Sequence, residues 1–174
     1  MSIVIRLEEL GRSDFDIIRD WIDPRVFRKF HEPIDDEQLG LLLSRHEEGR
    51  PVSLGYRIAR EQDGSPVGLL HSVVDWNNHL MHIGQMIVGD AASRGQGIGQ
   101  AALRLLLPIC FDELGLHRAQ LFVDEDNARA IACYRKVGFQ IEGLMREAAR
   151  TDAGYVSWHS MSLLEDEWRP RTNT

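Results

Sequence analysis

The chain has 174 residues, of which 43% are hydrophobic and 27% are charged, and its formal net charge is −7 at pH 7. These values are ordinary for a soluble globular protein and predict a single domain at residues 1–168 with a short tail at 169–174. The negative charge argues against a nucleic-acid partner. The sequence has no membrane-length apolar run and no signal-peptide pattern, so we expect a cytoplasmic protein without a membrane partner.

The two cysteines, Cys110 and Cys133, lie inside apolar helical patterns. In a reducing compartment such residues are expected to be buried thiols rather than a disulfide. The cysteines and histidines form no cluster with the spacing of a metal site, so no metal is predicted.

The first third of the chain predicts one strand and two helices. "IVIRL" alternates apolar and polar residues, as a strand does, and "SDFDIIRDWI" predicts a helix that opens with a capping box of Ser13 and Asp16 and stops at Pro24. "DDEQLGLLLSRHEEG" predicts a second amphipathic helix that ends at Gly49. Between the two helices lies the irregular stretch "PRVFRKFHEP".

The rest of the chain predicts a meander followed by alternating helices and strands. "SLGYRIARE", "VGLLHSVVDW" and "LMHIGQMIV" predict three antiparallel strands. "GQAALRLLLPICFDEL" predicts a helix in which Pro108 kinks or loosens one turn, and it ends at Gly115. "HRAQLFV" predicts a strand, "NARAIACYRKV" a helix closed by Gly138, and the remainder a hairpin.

The predicted element order is therefore βααβββαβαββ. Three strands meet before any crossover helix, which predicts an α+β domain with one mixed, largely antiparallel sheet flanked by helices.

The stretch "SRGQGIGQ" places three glycines in front of a run of helix formers. The first N–H groups of a helix lack partners and its dipole favours negative charge, so this glycine loop, residues 94–100, predicts an anion site. Its spacing fits neither the dinucleotide-binding fingerprint nor the P-loop. Basic residues flank the loop and a later helix, as an anionic cofactor requires: Arg94, Arg129, Arg135 and Lys136.

Two motifs carry a resemblance to a known family. Arg94-x-x-Gly97-x-Gly99, between a strand and a helix, resembles the [Q/R]xxGx[G/A] signature of the GNAT N-acetyltransferase superfamily. "NARAIACYRKVGF" is similar to the second cofactor-binding segment of that family. The resemblance runs from "GYRIAR" to "SLLEDEW" and is nearest in pattern to the subgroup of ribosomal-protein N-terminal acetyltransferases and spermidine acetyltransferases.

The resemblance implies the GNAT fold and acetyl-coenzyme A (acetyl-CoA) as co-substrate. It implies that the glycine loop binds the pyrophosphate and that the main chain near Ile87 and Val88 pairs with the pantetheine arm. Asn127 is expected either to contact that arm or to cap its own helix. The cofactor-binding residues implied are Ile87, Val88, Arg94, Gly95, Gln96, Gly97, Ile98, Gly99, Gln100, Asn127, Ala130 and Tyr134.

Two residues are candidates for the proton transfers. Tyr134 is the predicted donor to the leaving thiolate, since a phenol has a pKa close to that of an alkyl thiol; the other reading is a packing residue. Many relatives carry a catalytic Glu at positions that here hold His82 and Phe122. His82 is the predicted base, acting directly or through a water, although a strand histidine often only packs. The alternatives are Glu142, His71, Asp75 and His159.

The expected activity is acetyl transfer from acetyl-CoA to a primary amine by direct attack in a ternary complex. The acceptor is a protein N-terminus, a polyamine or a small amine, and the resemblance implies Phe30, His31 and Trp158 on the acceptor side. Relatives often dimerise, so a homodimer is one expectation. The alternative is a non-catalytic acyl-CoA-binding or sensing module, which the missing Glu favours and Tyr134 opposes.

Overall fold

The computed structural model describes residues 4–22, 35–151 and 154–172. The strands are β1 (Ile5–Glu9), β2 (Arg45–Glu47), β3 (Arg50–Arg60), β4 (Pro66–Asp75), β5 (Leu80–Val88), β6 (Arg118–Asp124), β7 (Gln140–Thr151) and β8 (Gly154–Leu164). The helices are α1 (Phe15–Trp21), α2 (Asp36–Gly40), α3 (Ile98–Pro108), α4 (Ala128–Val137) and α5 (Glu165–Thr172). No helix in these ranges is both long and apolar enough to cross a bilayer.

The strands form one mixed sheet in the order β1-β3-β4-β5-β6-β8-β7, with β2 paired to β3. Neighbouring strands are antiparallel except β5 and β6, which are parallel. A parallel pair needs a crossover connection, and α3 supplies it. The predicted α+β class with a mixed, largely antiparallel sheet is confirmed.

Successive side chains of a strand point to opposite faces, and the two faces have different covers. Met81 and Ile83 of β5 belong to the core cluster that includes buried residues of α3 and α4. Leu69 of β4 belongs to the cluster under α1 and α2, and Ile87 of β5 packs against it. The sheet therefore has an α3/α4 face and an α1/α2 face.

Pro108 has the predicted effect on the long helix. The residues that follow it, Ile109–Glu113, form one π-helical turn before the chain leaves at Gly115. Pro108 has no N–H to donate to the carbonyl of residue 104, and the widened turn follows directly after it. Phe111 of this turn is buried and stacks on Trp168 of α5, with ring centroids 6.1 Å apart.

The prediction of a second helix reaching Gly49 is wrong beyond Gly40. After α2 the chain turns and enters β2, which pairs with β3 through a tight turn where Glu48 and Gly49 have φ of 50° and 77°. The Ser53 hydroxyl donates to the Leu43 carbonyl at 2.8 Å and holds the turn after α2 on β3.

The predicted cap of the first helix is also corrected. A short 3-10 turn, Arg12–Asp14, precedes α1. The Gly11 N–H donates to the Asp14 carboxylate at 2.9 Å, in place of a box between Ser13 and Asp16. Asp14 also accepts from Arg57 at 3.0 Å, which fixes the start of α1 against β3.

Close approach of the turn after α2 to β3 makes Gly55 intolerant of a side chain. A Cβ at Gly55 would lie 1.8 Å from the Leu42 carbonyl oxygen, whereas a Cβ at Gly40 would meet nothing within 4 Å. We expect Gly55→Ala to lower the free energy of unfolding by about 1–3 kcal/mol or more, because backbone must shift.

Gly40→Ala is the matched control, and we expect it to be neutral or to stabilise by up to about 1 kcal/mol, because alanine favours the helix. Urea unfolding followed by tryptophan fluorescence measures both variants. Equal stability of Gly55→Ala and Gly40→Ala would contradict the packing described here.

Candidate active site

The parallel pair of strands comes apart in the middle of β5. Residues Leu80–Ile83 pair with Arg118–Leu121, and no pair follows. Towards β4, His71 faces Gln85 and Ser72 faces Ile83, so Gly84 is an extra residue and forms a β-bulge. A bulge bends its strand. The end of β5 therefore leaves β6, and the gap between residues 84–88 and residues 122–124 is named the split.

The main-chain groups of β5 that face the split follow from the ladder with β4. The Gly89 N–H donates to the Val67 carbonyl at 3.0 Å, on the β4 side. Because ladder groups alternate along an antiparallel strand, those of Ile87 face β4 and those of Met86 and Val88 face the split. Of the predicted pair, Val88 therefore faces the split, and Ile87 uses its own main-chain groups in the sheet.

Two glycines of the glycine loop adopt a left-handed backbone conformation, and a third allows close packing. Gly95 and Gly97 both have φ of +81°, which side chains adopt rarely. A Cβ at Gly99 would lie 3.3 Å from the Cys133 sulfur and from the Met86 methyl carbon. Bare backbone there lets the start of α3 approach both α4 and β5. The N-terminus of α3 is thereby held beside the split.

The start of α3 offers free N–H groups. The first helical bond runs from the Ala101 N–H to the Gly97 carbonyl at 3.0 Å. The N–H groups of residues 98–100 precede that bond and have no partner within the helix. They can bind an anion, as the sequence predicts.

Side chains fix the glycine loop to the end of β5. Arg94 donates through Nε to the Val88 carbonyl at 3.0 Å and through Nη2 to the Gly89 carbonyl at 3.2 Å. Arg60 donates through Nη2 to Asp90 and to the Ser93 hydroxyl, both at 2.8 Å. The Arg94 side chain therefore joins the anion site to the open strand edge.

A second cation lies near the loop. The Arg129 Nη2 atom of α4 would be 3.8 Å from a Cβ at Gly95. Its charge adds to the helix dipole in favouring an anion at this place. In the sequence Arg129 belongs only to a diffuse basic group, and the fold of α4 brings it to the loop.

Asn127 caps its own helix. Its side-chain oxygen accepts from the Ala130 N–H at 3.1 Å, at the first turn of α4. This satisfies one of the N–H groups that a helix start leaves open. Of the two predicted roles, capping is the one that the structure contains.

Tyr134 lies on α4, on the α3/α4 face of the sheet. It is 8% exposed and its ring centroid is 6.1 Å from that of Phe139. Burial raises the pKa of its phenol, so the hydroxyl keeps its proton at neutral pH. A protonated phenol can act as an acid there.

On the opposite face, three rings from three strands lie side by side. The ring centroids of His82 and Phe122 are 5.0 Å apart, and those of Phe122 and Trp158 are 6.2 Å apart. This aromatic row (His82, Phe122 and Trp158) begins one residue before the paired part of β5 ends. The predicted residues His82 and Trp158 thus lie in one row, and sequence analysis missed that Phe122 joins them. The predicted acceptor residues Phe30 and His31 lie outside the described residues.

The alternative bases differ in their surroundings. Arg118 donates to the Glu142 carboxylate through both terminal nitrogens, one of which lies 2.7 Å from Oε1. These hydrogen bonds lower the pKa of Glu142 to about 2.

His71 is buried, which lowers its pKa, and its Nδ1 lies 3.0 Å from the Gln85 side-chain oxygen. Asp75 accepts N–H groups in the β4–β5 turn, at the end of β5 far from the glycine loop. His159 stands opposite Val123, a residue of the α3/α4 core.

Comparison with known proteins identifies the family of this chain. A family described as the acetyltransferase (GNAT) family matches residues 15–139. The L-amino acid N-acetyltransferase AaaT of Escherichia coli (strain K12) is 33% identical over 88 residues, which are 51% of this chain and 53% of that protein. The spermidine N(1)-acetyltransferase of the same strain is 42% identical over 55 residues, 31% of this chain and 30% of that protein. The chain thus spans about half the length of the first relative and less than a third of the second.

Structural comparison agrees on the fold. A spermidine N-acetyltransferase from Vibrio cholerae, in complex with CoA and spermine, superposes with a TM-score of 0.80 at 22% identity. The superposition covers 95% of this chain and 98% of that chain. The family match contains the split, the glycine loop and α4, and on this evidence the chain belongs to the acetyltransferase (GNAT) family.

Proposed function

We propose that this protein is an acetyl-CoA-dependent N-acetyltransferase that acetylates a primary amine in a ternary complex. One observation carries the proposal: an open strand edge and a helix start meet at the end of β5, joined by Arg94. The N–H groups of the helix start suit a pyrophosphate. The main-chain groups of Met86 and the N–H of Val88, whose carbonyl accepts from Arg94, suit the amides of a pantetheine arm, which would add to β5 as a strand does.

The two faces of the sheet would divide the reaction. The thioester carbonyl lies beside the bulge, where an open N–H of β5 can stabilise the oxyanion. The amine approaches from the α1/α2 face, which carries His82, and the sulfur leaves towards the α3/α4 face, which carries Tyr134.

Atoms and protons balance in one displacement. The amine nitrogen forms a bond to the carbonyl carbon and the C–S bond breaks. One proton leaves the nitrogen for His82, directly or through a water, and one proton reaches the sulfur from Tyr134. The products are an N-acetyl amine and CoA, and no acyl-enzyme is formed.

The proposal is tested by thiol release from acetyl-CoA with a panel of primary amines, amino acids, polyamines and short peptides. We expect turnover with a subset of the panel and no release without an amine. Binding of acetyl-CoA without turnover on any acceptor would contradict the proposal and favour a sensing module.

The glycine loop makes binding testable apart from turnover. Acetyl-CoA should raise the Tm of the native protein by mass action. Gly97→Asp should abolish the shift, because it places a carboxylate where the pyrophosphate binds. Differential scanning fluorimetry with and without the cofactor measures this.

Gly97→Asn is the matched control, since it has the same shape and tolerates the same left-handed backbone but carries no charge. It should retain a shift of Tm. An undiminished shift in Gly97→Asp would mean that the anion binds elsewhere.

The base is tested by the pH dependence of kcat/KM. If His82 accepts the proton, kcat/KM falls as the pH is lowered, because an imidazolium has no lone pair to offer. His82→Ala should reduce kcat/KM and flatten that acid limb.

Glu142→Gln is the control, and it should keep the limb, because Arg118 already holds Glu142 ionised far below neutral pH. A limb that survives unchanged in His82→Ala would pass the role to another group or to the amine itself.

The acid is tested by removing one oxygen atom. Tyr134→Phe keeps the buried ring, so cofactor binding and Tm should change little, while kcat should fall by about 10²–10⁴-fold. The loss should shrink with an acyl donor whose thiol is more acidic, because that thiolate leaves without help. Full kcat, on a substrate for which chemistry limits the rate, would make Tyr134 a packing residue.

A further inference from the structure

Transfer of an acetyl group does not by itself require the aromatic row. Its three rings come from β5, β6 and β8, and the planes of Phe122 and Trp158 are within 16° of parallel. Phe122 is 39% exposed, so part of its ring is open to contact. The exposed ring lies between the predicted base and the predicted acceptor residue.

The row lies where an acceptor must pass. It begins with His82, and Phe122 is the first residue of β6 beyond the last rung that pairs with β5. Tyr134 belongs to the cluster on the other face of the sheet. In the proposed reaction, an amine nitrogen that attacks the thioester beside His82 therefore places the carbon atoms next to it over Phe122.

Two carboxylates, Glu142 and Asp124, lie on this face of the sheet. Glu142 is the carboxylate that accompanies Gln120 and Ser160 there, and Arg118 neutralises it through two hydrogen bonds. Asp124 pairs with Trp158 in the ladder and lies on the same face of β6 as Phe122. Next to the split, this part of the chain therefore offers flat apolar contact with one carboxylate beside it.

We propose that the acceptor is a primary amine with a flat apolar group one or two carbons from the nitrogen, and that Phe122 is the residue that selects it. The inference rests on the proposed function, of which it names the substrate class. An aromatic side chain of the acceptor stacks on Phe122 and Trp158 in the offset geometry that such rings prefer. The acceptor ammonium gains from the faces of the same rings until it loses one proton to solvent, and the neutral amine then attacks and gives its second proton to His82.

The test compares three amines with the full-length protein and acetyl-CoA: 2-phenylethylamine, n-butylamine and spermidine. In the native protein kcat/KM should be highest for 2-phenylethylamine, by roughly tenfold or more over n-butylamine. In Phe122→Ala the ratio of these two values should fall towards one. Phe122→Tyr keeps the ring and should keep the ratio.

Leu144→Ala is the matched control, because Leu144 is an exposed apolar residue of β7 that pairs with His159 and not with the row. It should leave the ratio as in the native protein. The Tm shift on adding acetyl-CoA reports that each variant is folded and binds the cofactor.

The outcomes separate the two proposals. If no amine in the wider panel is acetylated, the proposed function fails. If amines are acetylated but spermidine or n-butylamine is preferred, or the ratio is unchanged in Phe122→Ala, then only the aromatic selection is overturned.

Discussion

The separation of β5 from β6 is the constraint on which the rest of the site depends. A parallel pair that stayed in register beyond Ile83 would use every main-chain group of both strands. The extra residue Gly84 bends β5 and ends that pairing, so the sheet keeps an open edge in its middle. Open main-chain groups away from a sheet's rim are costly unless a ligand pairs with them. In the proposed function the pantetheine arm pairs with these groups.

The glycine loop, α3 and α4 are positioned around the split. Arg94 bonds the last carbonyls of β5, which draws the glycine loop and the start of α3 to the end of the split. Gly99 lets α3 contact both Met86 and α4, so Tyr134 comes to the same side. On the other side His82 begins the aromatic row. The sheet thus separates Tyr134 on one face from His82 on the other, with the open strand edge between them.

The sequence predicted the parts of the site that are local in the chain. The glycine loop, the cap Asn127 and the helix with Tyr134 each occupy one continuous segment, so their spacing identifies them. The prediction of a long second helix failed because Leu39 and Leu42 fit a helical pattern. In the structure the chain turns back after α2, where the Leu42 carbonyl packs against Gly55. The aromatic row was missed because strand register, which no motif encodes, brings its three rings together.

Amide hydrogen exchange measured residue by residue, with and without acetyl-CoA, tests the split most directly. The Ile87 N–H, which faces β4, should be protected in both states. The N–H groups of Met86 and Val88 should exchange fast in the free protein and become protected when the cofactor binds. Protection of Val88 equal to that of Ile87 in the free protein, or no change at Val88 on binding, would contradict the account.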